Sequence, residues 1–223
     1  MLEPQLPKIT LAGVTVYDAR SWFPDLSPWY ARTKEQITGV ALHPDAAAYD
    51  GTTIDDERQR MQTIYDFHTG PTWDWPGIGY NLDCFPSGRI YLVGDMLTVR
   101  AHVAHRNTPL AGIVGAGDFT EHPPSVGHIL TYGSALVWTW AYTGRILPAE
   151  GHRFWAVEGW ATACPGDTWQ NWVPVVKNAA VAIANHHANQ DAALKIRAAL
   201  AEAWNKGDWQ MLNNQLDWIG FRP

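Results

Sequence analysis

The chain has 223 residues, 46% of them apolar and 17% charged, which suits a folded protein with a sizeable core and excludes a disordered one. A formal net charge of −6 with no basic block argues against nucleic acid as the main partner, because phosphate neutralisation needs clustered Lys and Arg. The two cysteines, Cys84 and Cys164, are too few for a disulfide framework and fit a reducing compartment.

The start, MLEPQLPKIT, lacks the apolar run of a secretory leader, so a soluble protein made in the cytoplasm is expected. Residues 1–36 are rich in Pro and Trp, with one apolar stretch at Leu11 to Tyr17. Arg20, Trp22 and Trp29 are expected to hold this segment on the main body as an ordered arm. Ile37 to Leu42 reads as a buried strand that ends at His43-Pro44, where the proline stops the ladder. His43 therefore stands where a strand opens into a loop, the place where α/β folds put their chemistry.

Thr53 and Asp56 form a capping-box pattern, and Met61, Ile64, Tyr65 and His68 then fall on one helical face until Gly70-Pro71. A loop carrying Trp73 and Trp75 leads to a strand at Ile78 to Phe85. Ser87-Gly88 turns the chain into a partner strand, Arg89 to Val93. A polar loop around His102, His105 and Asn107 precedes another short strand, Ala111 to Gly115. The uncharged run from Ser125 to Gly144 contains His128, Thr131, Ser134, Thr139 and internal glycines, so it reads as a buried helix and not a membrane span. Val126, Ile129, Leu130, Leu136, Val137 and Trp140 are its inward positions. The alanine-rich tail suggests a helical hairpin, with Ala193, Ile196, Leu200 and Ala203 on one stripe and Trp209, Leu212, Leu216 and Ile219 on the next.

The chemistry concentrates in residues 151–166, GHRFWAVEGWATACPG. His152 and Cys164 are soft donors suited to Zn²⁺, and a catalytic zinc takes three protein ligands with one open position. His43 is the best-placed third donor, while His68, His102, His105 and His122 remain open on spacing alone. Thr162 adds a hydroxyl two residues before the cysteine.

Six stretches in order resemble the type-2 N-acetylmuramoyl-L-alanine amidases, the family shared by phage endolysins and peptidoglycan recognition proteins. They are Arg20-Ser21-Trp22, VALHPDA at 40–46, the segment 64–91 with Ile78-Gly79-Tyr80, RAHVAHRNTPLAGIVGAGDF at 100–119, GHR at 151–153 and ACPG at 163–166. The resemblance implies His43, His152 and Cys164 as zinc ligands, Tyr80 as the catalytic tyrosine, and Thr162 as an oxyanion donor. It implies zinc-dependent hydrolysis of the amide between MurNAc and L-Ala of peptidoglycan, as in an endolysin. His68, Trp73, Trp75, His102, His105 and Asn107 become candidates for lining a glycan-peptide groove. A peptidoglycan-binding module of the same fold without catalysis is the alternative, and Cys164 speaks for the enzyme.

Three positions depart from the family pattern. Pro44 follows the first ligand, His152 and Cys164 are 12 residues apart, which is longer than usual, and Val114 stands where one branch carries a glutamate. The extra length, with Trp155, Glu158 and Trp160, is expected to overhang the metal and shape substrate preference. Glu158 is a possible additional base there. Cys84 lies about 13 Å beyond Tyr80 along a strand at about 3.3 Å per residue, and is expected to be a structural thiol. The expected architecture is a three-layer α/β domain with a mixed sheet flanked by helices, plus a C-terminal helical extension. Its expected limits are 1–172, including the arm 1–36, and 173–223 for the extension.

Overall fold

The computed structural model describes residues 4–186. Seven strands form one mixed sheet: β1 (Lys8–Leu11), β2 (Val14–Asp18), β3 (Gly39–Pro44), β4 (Leu82–Cys84), β5 (Ile90–Leu92), β6 (Leu110–Gly115) and β7 (Ala149–Gly151). Their spatial order is β1-β2-β5-β4-β6-β3-β7. The β1–β2 and β4–β5 pairs are antiparallel, and the remaining pairs are parallel. Four helices accompany them: α1 (Ile54–Thr69), α2 (Val126–Thr143), the single turn α3 (His152–Trp155) and α4 (Trp169–His186).

Side-chain alternation divides the sheet into two faces. Val14, Val16, Val40, Leu42, Leu82, Cys84, Ile90, Leu92, Ala111 and Ile113 share one core with the buried residues of α2 and α4. Tyr17 and Tyr91 point the other way, into a smaller core with Met61 and Ile64 of α1. The result is the expected three-layer α/β arrangement, with α1 on one side and α2 with α4 on the other.

Local sequence explains the element limits. Thr53 accepts from the Asp56 N–H and the Asp56 carboxylate answers the Thr53 N–H, so the capping box starts α1. Ser125 caps α2, and Gly144 ends it in the left-handed conformation at φ 71°. More of α2 is buried than the expected stripe, including Tyr132, Ala135, Trp138 and Thr139, because α4 covers its second side. No helix among the described residues is long and apolar enough to cross a membrane.

The N-terminal arm does more than pack. Its β1 and β2 extend the sheet, Trp22 lies against Tyr91, and Arg20 bridges Asp18 and Asp95. The strand expected over 78–85 is shorter, because the Gly79 N–H donates to His68 Nδ1 and the ladder begins only near Leu82. Helix α4 runs through the boundary expected at 172/173, and Trp172, Val173, Val176 and Ala180 are all buried in the main core. The helical hairpin expected over 193–219 lies outside the described residues.

Candidate metal centre

Parallel register brings the first two donors together. Leu42 of β3 pairs with Gly151 of β7, so the next residues, His43 and His152, stand side by side. His43 is still inside β3, which runs through Pro44 against β6 and does not stop at the proline as expected, because Pro44 pairs with Gly115. Neighbouring strands are about 4.8 Å apart, and the two imidazole centroids lie 4.7 Å apart. Cys164 arrives from the loop before α4, with its Sγ 3.6 Å from His43 Nδ1. The donor atoms of His43, His152 and Cys164 all lie within 4.8 Å of one another. Zinc bonds of 2.0–2.3 Å in a tetrahedron need donors roughly 3.5 Å apart, so two imidazoles and a thiol fit this ion with a small contraction.

Burial sets the protonation states of the three donors. His43 is 1% exposed, and burial, then His152 and His102, push its pKa well below the usual histidine value. Burial lowers His152 to about 4 and raises the Cys164 thiol to about 12, the latter partly opposed by Arg153. The imidazoles are thus neutral and ready to ligate, whereas the thiol must lose a proton when a metal binds.

Residues outside the donor set hold it in place. Tyr132 of α2 donates to the His43 carbonyl at 2.6 Å and pins the strand end. Arg153 donates to the carbonyls of Thr162 and Ala163, and its own N–H donates to the Cys164 carbonyl, tying α3 to the cysteine loop. The Cys164 N–H donates to Thr162 Oγ1 at 3.1 Å, so Thr162 braces the same turn. After β3, Asp45 pairs with Arg60 of α1 and accepts from the Gly117 N–H. Tyr132, Arg153, Asp45 and Arg60 were not anticipated as site residues. Arg153 and Asp45 carried a signal, by their places in the GHR triplet and in VALHPDA.

Tyr80 lies over the site, its ring centroid 5.1 Å from that of His43, and burial raises its pKa so that the hydroxyl keeps its proton. From Tyr80 an aromatic path leads outward through His68 (5.6 Å) and Trp75 (4.7 Å from His68) to Trp73 (4.9 Å from Trp75). Phe67, also exposed, joins its end at 6.3 Å from Trp73. His102 is buried, with one ring nitrogen 3.1 Å from His43 Nε2 and the other 3.2 Å from the Leu110 carbonyl. Asn107 uses its side-chain oxygen to accept the N–H groups of His102 and Val103. His105 is exposed at φ 61° and meets Trp160 edge-on at 5.0 Å. Val114 is fully buried opposite His43. Cys84 sits in the core on the other face, 4.0 Å from the Thr131 carbonyl.

The longer segment between His152 and Cys164 splits into two parts. Trp155 turns under the sheet edge, donates to the Val40 carbonyl at 3.0 Å and packs on Ala41, Val103 and Leu110. Phe154, Glu158 and Trp160 stay exposed.

No protein-family profile matches this sequence, and no curated protein matches it. Solved structures do. The ectodomain complex of peptidoglycan recognition proteins LCa and LCx with bound tracheal cytotoxin matches with a TM-score of 0.62 at 23% identity, over 72% of this chain and 93% of that one. These proteins share one fold with the present chain. Wild-type Drosophila PGRP-LB matches with a TM-score of 0.57 at 20% identity, over 72% and 91%. The N-acetylmuramoyl-L-alanine amidase LysC from Clostridium intestinale URNW matches with 0.53 at 17% identity, over 69% and 89%.

Proposed function

We propose that this chain is a zinc-dependent amidase that cleaves the MurNAc–L-Ala bond of bacterial peptidoglycan. The observation that supports it is the His43/His152/Cys164 cluster at the ends of β3 and β7, in a fold shared with amidases and peptidoglycan recognition proteins. Zinc held by these three residues would supply Lewis acidity, acidifying water and polarising the amide carbonyl. Everything else falls to the chain itself.

Tyr80, partly buried and protonated, offers a hydrogen-bond donor beside the donor cluster and orients the reacting oxygen atoms. Thr162 Oγ1 accepts from the Cys164 N–H, which leaves its own hydrogen free to donate to the oxyanion of the tetrahedral intermediate. Trp75, Trp73 and Phe67 form an apolar wall that leads from Tyr80 to the surface and suits the flat face of a sugar or peptide. His68 fixes this wall by packing on Trp75 and accepting from the Gly79 N–H.

The test combines zinc analysis of the purified chain with mass spectrometry of digested cell wall. Stoichiometric zinc and newly exposed L-Ala amino termini support the amidase. Wall binding with neither zinc nor new termini means a recognition module instead.

A further inference from the structure

The groove contact expected of His102 is not the use its surroundings favour. The residue is only 7% exposed, and both ring nitrogens already have partners. One partner, the Leu110 carbonyl, can only accept, so the His102 nitrogen 3.2 Å away must carry a hydrogen. That nitrogen is Nε2, and in a neutral ring Nδ1 is then a bare acceptor. The atom facing Nδ1, at 3.1 Å, is His43 Nε2. His43 must therefore carry its hydrogen on Nε2, which leaves Nδ1 with a free lone pair. Nδ1 is the atom that lies 3.6 Å from Cys164 Sγ, inside the donor cluster.

We propose that His102 is a positioning residue that fixes the tautomer and ring orientation of His43 for metal binding, through the chain Leu110 carbonyl, His102, His43. The proposal rests on the zinc reading of the cluster, and it assigns His102 no contact with substrate.

The surroundings are built for this. Arg32 also donates to the Leu110 carbonyl, at 2.5 Å, and the carbonyl has two lone pairs, one for each donor. Gly112 of β6 leaves the space that the ring fills, since a Cβ there would lie 2.8 Å from His102 Cγ. Asn107 anchors the backbone on either side of the ring by accepting from His102 and Val103. Partners of this kind usually alter metal affinity by about 10- to 100-fold when removed.

The experiment measures zinc affinity of the full chain by competition with a chromophoric chelator, for the parent, His102→Ala and His102→Asn. Asparagine keeps an acceptor oxygen close to the place of Nδ1. The expected result is a 10- to 100-fold weakening for His102→Ala and substantial recovery for His102→Asn. Equal affinity in parent and His102→Ala overturns the proposal. Should the alanine variant fail to fold, ring ¹⁵N spectra of the parent decide instead. A hydrogen on Nε2 of both His43 and His102, with or without zinc, supports the relay, and a hydrogen on His43 Nδ1 overturns it. A parent that binds no zinc sinks the amidase reading, while the same spectra still test the hydrogen-bond chain.

Discussion

On the side of the sheet that meets α2 and α4, alternate strand residues are Val, Leu, Ile, Ala and one Cys, and they form the larger core. On the side that meets α1, the same strands present Tyr17, Tyr91, Asp83 and His43. The first face is held by shape and area. The second holds polar groups whose cost must be offset one by one. Glu57 illustrates success: it is fully buried but accepts from Arg89, Tyr91 and Ser87. Asp83, fully buried on the same face with neither carboxylate oxygen partnered, is a failure, and the Tyr49 hydroxyl beside that core is another. Burial, with Asp45 next, drives the Asp83 pKa well above the usual carboxylate value, so it is held neutral. The contrast separates stability from chemistry: one face keeps the fold, and the other spends part of that stability on positioning reactive groups.

The sharpest break in this comparison is Cys164→Ser. It removes a donor without touching the larger core, so wall hydrolysis is expected to fall by roughly 10³-fold or more, because metal assistance is worth several kcal/mol. Far-ultraviolet circular dichroism should stay at the parental shape. Trp172→Ala is the mirror experiment. It empties a fully buried site under α2 and should cost about 3–5 kcal/mol in denaturant unfolding, leaving the donor residues in place.

On the polar face acid acts through His68. Burial lowers His68 to about 4, against an unfolded value near 6.5. Its contribution is therefore complete above about pH 6.5 and is lost as pH falls towards 4, at up to about 1.4 kcal/mol per pH unit. Unfolding curves for His68→Gln should be flatter in that window than those of the parent. Asp83 has the opposite sign. Its raised pKa means that stability is greatest below about pH 3.8 and declines as pH rises. Asp83→Leu should therefore gain about 1–3 kcal/mol in acid, where it removes an unpartnered neutral carboxyl, and more as pH rises towards neutral. A loss at neutral pH would show that Asp83 has a partner worth keeping. The smallest effect on the fold belongs to Trp73→Ala, which changes stability by less than about 0.5 kcal/mol because the ring is exposed. Wall affinity should drop severalfold, since such stacking is worth about 1 kcal/mol.

Much of this was legible in the residues. The capping box at Thr53, the glycine stop at Gly144, the buried strand ahead of His43 and the hairpin at Ser87-Gly88 are local signals, and each became an element. The donor trio could be named because motif order carried it. What stayed hidden depends on pairing between distant segments. Three residues, Ala149 to Gly151, give no periodic signal, yet as β7 they set His152 beside His43. The same holds for β1 and β2 in a segment read as an arm, and for Tyr132, whose hydroxyl reaches the His43 carbonyl from a helix 89 residues further on. His102 stood among the candidates, but its link to His43 needed the register of β3 against β6 and the space at Gly112.

Cys164 reaches His43 across 121 residues of chain. An ion shared between them would tie segments that far apart to one point, and by binding the folded chain and not the unfolded one it would stabilise the fold. Zinc would then be a clasp as well as a reagent. The melting temperature should climb with free zinc concentration, and a chelator should loosen β3, β7 and the start of α4 together.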